Sequence, residues 1–143
     1  MTSIDFYFNA GDRLGVACRL AGKALKQNKR VLIYAPQAEM ARKIDRLLWA
    51  STATSFIPHC FAHDPLAADT PVLIASDDAP SAAACEVLLN LAPECPPFFE
   101  RHERLLEIVD QEEGQVLAGR SRFKFYRDRG YSMRSHDLAK AGL

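Results

Sequence analysis

The chain lacks the short sequences that announce an active site. Neither G-x-G-x-x-G nor G-x-x-x-x-G-K-[ST] is present, so Gly11 and Gly15, which follow the first strand, do not build a loop that cradles phosphate. G-x-S-x-G is also missing, and with it the turn that presents a nucleophilic serine. No apolar run approaches the roughly 20 residues needed to span a bilayer. The opening MTSIDFYFNAGDR has neither a basic n-region nor a long apolar h-region. Cys18, Cys60, Cys85 and Cys95 fall without the paired spacing of a disulfide or zinc framework. These features predict a soluble, cytoplasmic protein with reduced thiols and no cofactor. Charge imbalance is missing as well, since 18 basic residues balance 18 acidic ones. That argues against a surface built as a whole to bind nucleic acid. No repeat, linker or low-complexity stretch divides the 143 residues, so one domain is expected. A chain of that length buries roughly two-thirds of its unfolded surface and folds without a metal or disulfide.

What is present reads as alternating strands and helices. Ser3 to Phe8 is β-branched and aromatic. Arg13 to Lys29 places Leu14, Ala17, Ala21, Ala24 and Leu25 on one helical face, with Asp12 as N-cap. Arg30 to Ala35 is a continuous apolar run of the kind buried in a parallel sheet. Pro36 then opens a second helix carrying Met40, Ala41, Ile44, Leu47 and Leu48. Ser51 to Ser55 is a polar connection, Ser55 to Pro58 a short extended piece and His63 to Pro71 a loop. Val72 to Ala75, Glu86 to Ala92 and Arg104 to Asp110 read as further strands, and Gln111 to Arg129 as the last helix. Residues from about 132 to 143 read as a mobile tail. The expectation is an α/β fold: a single domain with a mixed, mostly parallel sheet and helices on both faces, Rossmann-like without the nucleotide motif.

The neutral total hides an uneven distribution. From Arg120 to Leu143 there are seven Lys or Arg against Asp128 and Asp137, while Glu100, Glu103, Glu107, Asp110, Glu112 and Glu113 lie just upstream. At about 100° per residue, Arg120, Lys124 and Arg127 share one stripe of the last helix. Val116, Gly119, Phe123 and Tyr126 form the adjoining stripe. A cationic stripe beside an apolar wall suits a peptide that ends in a bulky side chain and a free carboxylate. Single-stranded nucleic acid, with phosphates on cations and bases on rings, is the second fit. An amphipathic helix with a solvated basic face is the third.

Trp49, Phe56, Ile57, Pro58 and Phe61 form a second apolar group in an irregular stretch, where such residues act as interface anchors or as ordinary core. His59, Cys60 and His63, even with Cys85 and Cys95, lack the paired frame of a zinc site. Asp77 and Asp78 follow a strand, where an α/β fold can place acids, but such a pair is more often a turn or a cap.

Several segments together resemble the chi subunit family of bacterial DNA polymerase III. They are FYF (Phe6 to Phe8), KRVLIYAP (Lys29 to Pro36), LLWA with SFIPH, PVLI (Pro71 to Ile74), LLNL (Leu88 to Leu91), LLEIVD (Leu105 to Asp110) and RSRFKFYRDRGY (Arg120 to Tyr131). The resemblance implies an α/β fold without catalytic activity. It implies two partners: the psi subunit, which tethers chi to the clamp loader, and the acidic, hydrophobic-ended C-terminal tail of single-stranded DNA-binding protein. DNA contact would be indirect or weak. The family's tail-binding helix matches Arg120, Phe123, Lys124 and Arg127 here, and the psi-facing surface matches Trp49, Phe56, Ile57, Pro58 and Phe61. Two positions depart from the family pattern: tyrosine is usual where Phe123 stands, and Val116 supplies no charge where some members have one.

Overall fold

The computed structural model describes residues 2–50, 57–77 and 85–141. Among these residues seven strands form one sheet: β1 (Ser3–Ala10), β2 (Val31–Tyr34), β3 (His59–Phe61), β4 (Val72–Ala75), β5 (Val87–Asn90), β6 (Arg104–Asp110) and β7 (Ser132–Asp137). Their order is β3-β4-β2-β5-β6-β1-β7. Every pairing is parallel, so the expected mixture of directions gives way to a wholly parallel sheet. Among the described residues four α-helices accompany it: α1 (Arg13–Lys26), α2 (Ala38–Ala50), α3 (Glu113–Asp128) and the short α4 (Leu138–Ala141).

Parallel strands need crossovers that cover the sheet, which explains why the central strands are apolar on both faces. In β2, Val31 and Ile33 join one core and Leu32 the other. The first core holds α1 and α2 through Ala17, Ala21, Ile44 and Leu48. The second lies under α3 and the aromatic turn around Phe98 and Phe99. Among the described residues no helix is long and apolar enough to cross a membrane.

The boundaries differ from the sequence reading in places with clear physical causes. Helix α1 stops at Lys26, not Lys29, because the chain turns through Gln27 into Asn28 at φ 59°, a left-handed conformation that asparagine tolerates. Asp12 does cap it, accepting from the Gly15 amide at 3.2 Å. Pro36 stands two residues before α2 rather than on its first position. Within the stretch expected as loop, Ala67–Asp69 forms a 3-10 turn. Residues 59–61, weighed as part of a zinc fragment and of the apolar interface group but not as a strand, form edge strand β3 beside β4.

The largest correction concerns the segment read as a tail. Ser132–Asp137 is β7, paired with β1 from Ser3↔Ser132 to Phe8↔Asp137. Three of its polar side chains, those of Arg134, His136 and Asp137, are held by β1. Arg134 Nε donates to Asp5 Oδ1 at 3.0 Å, His136 Nε2 lies 3.3 Å from the same oxygen, and the His136 ring stacks on Tyr7 at 4.5 Å. Asn9 Nδ2 donates to Asp137 Oδ1 at 2.9 Å.

Candidate functional site

Helix α3 lies across β6 and β1 and is held unusually. Only Gly119, Arg122 and Tyr126 of its 16 residues are buried. Gly119 sets how closely the helix approaches the sheet, since a Cβ there would stand 2.7 Å from Val109 Cγ2. Arg122 and Tyr126 both reach Glu107, a carboxylate in the middle of β6. Arg122 Nε donates to Oε1 at 2.9 Å and Tyr126 Oη to Oε2 at 2.7 Å. Burial raises the Glu107 carboxyl above the usual carboxylate range, and the Arg122 charge with the Tyr126 and Asn90 hydrogen bonds opposes that rise.

Between α3 and the sheet lies an open hollow of about 380 Å³. Its apolar wall is Phe6, Phe8, Val109, Val116 and Phe123, with Gly119 beside them. Its polar rim is Arg120, Asn9, Asp110 and Ser135. Phe123 is half-buried, its ring edge-on to Phe6 at 5.2 Å. Arg120 is exposed on the helix at the mouth of the hollow. Lys124 and Arg127 are exposed on the same side of α3 but do not line the hollow. The Arg127 guanidinium is 3.7 Å from Asp128, with both side chains more than half exposed, so the pair holds it loosely. Asp110, whose Oδ1 accepts from the Glu112 amide at the start of α3, puts one carboxylate on the same rim.

The other cations and rings of the basic stretch are engaged internally. Arg122 is 3% exposed and serves Glu107. Arg129 sits 3.6 Å over the Phe125 ring. Tyr126 is buried, and Tyr131 packs edge-on to Phe99 at 5.2 Å. Of the same run, Arg120, Lys124 and Arg127 stand exposed and Phe123 half-buried. Sequence reasoning missed Asn9 and Ser135. Asn9 takes φ 61° where the pairing of β1 with β6 slips between Tyr7 and Ala10, and Ser135 belongs to the unexpected strand β7. Neither carries a sequence signal of its own.

The second apolar group divides. Trp49, at the end of α2, is 60% exposed and meets the His59 ring edge-on at 4.7 Å. Pro58 and Phe61 are half-buried, and Phe61 stacks against His63. Ile57 is 3% exposed in the first core, near Gly22 of α1. That corrects its expected place on the surface: an isoleucine at this position fills the gap left by the glycine. Phe56 lies outside the described residues, as do residues 51–55 and Asp78.

The zinc candidates separate as well. His59 Nδ1 is 2.8 Å from the Ile57 carbonyl oxygen. Its Nε2 is 3.2 Å from Asp45 Oδ1 without an aligned hydrogen bond. Cys85 belongs to the opposite core, where burial pushes its thiol up to about 11. Among the described residues no group of three His, Cys, Asp or Glu could hold a metal ion. Asp77 lines a second open cavity of about 480 Å³ with Arg42, Phe61 and His63.

Comparison with known proteins places the chain. The C-terminal domain of Saccharomyces cerevisiae Dbp5, solved bound to Gle1 and IP6, superposes with a TM-score of 0.60 over 95% of this chain and 90% of that one, at 10% identity, which shows a shared fold alone. DNA polymerase III subunit chi of Pseudomonas aeruginosa is 34% identical, covering 98% of this chain and 99% of its own. The Escherichia coli protein of the same name is 29% identical over 82% of this chain and 80% of its own. A family profile described as "DNA polymerase III chi subunit, HolC" matches residues 1–134, and the chain belongs to that family.

Proposed function

We propose that this chain, a replication accessory subunit of the DNA polymerase III chi family, is an adaptor that docks the acidic C-terminal tail of single-stranded DNA-binding protein on α3 and the psi subunit on the Trp49 surface. The observation that carries the tail reading is the hollow beside Phe123 with Arg120 at its mouth. An apolar cleft under a guanidinium matches a terminal side chain and its own carboxylate. Lys124 and Arg127, exposed further along α3, meet the acids that precede the end. Exposed charges of this kind make the binding salt-sensitive.

Direct binding of single-stranded DNA by α3 is less well supported. Base stacking needs open rings, yet Tyr126 is buried, Phe125 is covered by Arg129, and Tyr131 packs on Phe99.

Calorimetric titration of an acidic tail peptide tests the first reading. Arg120→Ala or Lys124→Ala should weaken binding by about 1–3 kcal/mol, the scale of hydrogen bonds to charged groups. Unchanged affinity in both variants would contradict it, and tight binding of a short DNA strand with none of the peptide would favour the alternative. For the second surface, Trp49→Ala should leave the protein folded and abolish co-purification with psi, as for an exposed aromatic anchor. A variant that stays folded and still retains psi removes Trp49 from the interface.

A further inference from the structure

Two of the three buried residues of α3 are polar, and both hold one carboxylate. Glu107 is fully buried. Besides Arg122 and Tyr126 it accepts Asn90 Nδ2 at 3.1 and 3.0 Å, and Arg122 extends to the Pro93 carbonyl at 3.0 Å. A buried ion pair of this kind adds little net stability over apolar packing of the same shape. What it supplies is direction, because hydrogen bonds are angular and apolar contacts are not. The third buried residue, Gly119, has no side chain to resist rotation. Arg122 and Tyr126 are four residues apart and so lie on one line of the helix. Phe123 follows Arg122 by about 100° around the axis, so fixing that line also fixes where the docking stripe faces.

We propose that Glu107 is a positioning residue for the docking site: by holding Arg122 and Tyr126 it sets the rotation of α3, and so aims Arg120 and Phe123 at the same hollow. This rests on the tail-docking reading above. Its consequence is discrimination rather than affinity alone. A rolled helix still offers cations to an acidic peptide, but it no longer brings wall and guanidinium together around a terminal side chain.

The test compares two acidic peptides, identical except that one lacks the bulky terminal residue. The paired variant Glu107→Met with Arg122→Leu replaces the network by apolar side chains. Loss of folded protein lowers the apparent affinity for both peptides equally and leaves their ratio unchanged. A rolled α3 lowers the ratio, by about fivefold or more for groups coupled this closely. A folded paired variant that keeps the wild-type ratio overturns the proposal. If the paired variant does not fold, Tyr126→Phe, which removes a single donor to Glu107, replaces it, with a drop of about twofold expected and an unchanged ratio again overturning the proposal. Arg120→Ala in the wild-type background separates the two claims. If it and Lys124→Ala both leave affinity unchanged, the docking reading fails and the positioning role falls with it. If it weakens binding while the paired variant keeps its ratio, docking stands and positioning alone is refuted.

Discussion

Three of the four arginines between Arg120 and Arg129 have three different fates. Arg120 borders the hollow, Arg122 is buried on Glu107, and Arg129 lies over Phe125. Helical spacing separates Arg122 from the exposed stripe, but it does not reveal the carboxylate 15 residues upstream that Arg122 serves. Urea denaturation will show the difference. Arg122→Ala should cost about 3–5 kcal/mol, because it strands a buried charge, whereas Arg129→Ala should cost less than about 1 kcal/mol. Asp5 gives a second prediction at this scale. Burial alone would raise its carboxyl, but hydrogen bonds from Arg104 and His136 and the charges of Arg104 and Arg134 hold it below the ordinary 3.8. The unfolded chain therefore takes up this proton first as pH falls. The stabilisation is whole above 3.8 and is lost as pH drops through the lower folded value. Asp5→Asn should be less stable near neutrality, where it leaves two guanidinium groups without their carboxylate, yet lose less stability between about pH 4 and pH 2. An acid limb as steep as that of the wild type would show that Asp5 does not titrate this way.

At the scale of elements, β2 and β4 were legible because strands buried on both faces are written as uninterrupted apolar runs, and β6 because Glu107 alone breaks its run. Helices α1, α2 and α3 were legible from their periodicity. Strand β7 was not. Its sequence SMRSHD has no apolar alternation, since Arg134 and His136 meet the buried Asp5 and not a hydrophobic core. Missing β7 meant missing Ser135 and one side of the hollow. Strand β3 is too short for its pattern to stand out, and Ile57 next to it looked like surface because the glycine it packs against lies far back in the chain. The contact of α3 with β6 yields its own test. Gly119→Ala forces a methyl against Val109, and such overpacking should cost about 1–3 kcal/mol. Because the displaced wall is that of the hollow, denaturant stability and tail affinity should fall together. Normal tail binding by this variant would mean that the hollow does not require the close approach of α3.

For the molecule as a whole, the sheet separates the two proposed docking surfaces. The hollow lies at the β1–β7 side, and Trp49 packs on His59 of β3, at the opposite edge. The five strand spacings from β3 to β1, at the centre of the hollow, amount to roughly 24 Å, well beyond the Debye length of about 8 Å at physiological salt. Charge at one edge is therefore screened from the other, and a rigid parallel sheet offers no hinge between them. Binding at the two surfaces should be independent: Trp49→Ala should leave tail affinity within about twofold of wild type, the limit of additivity for distant sites. Titrating the tail peptide into the free protein and into its complex with psi checks the same point, and a large change on adding psi would reveal coupling.

The most direct measurement is a titration of the isotope-labelled protein with an acidic, hydrophobic-ended tail peptide, followed by amide chemical shifts. The largest changes should centre on Gly119, Arg120, Phe123 and Lys124, extend to Asn9 and Ser135 across the hollow, and leave Trp49 and His63 at rest. Shifts that gather around Trp49 and His63, or that leave the amides of α3 where they were, would contradict it.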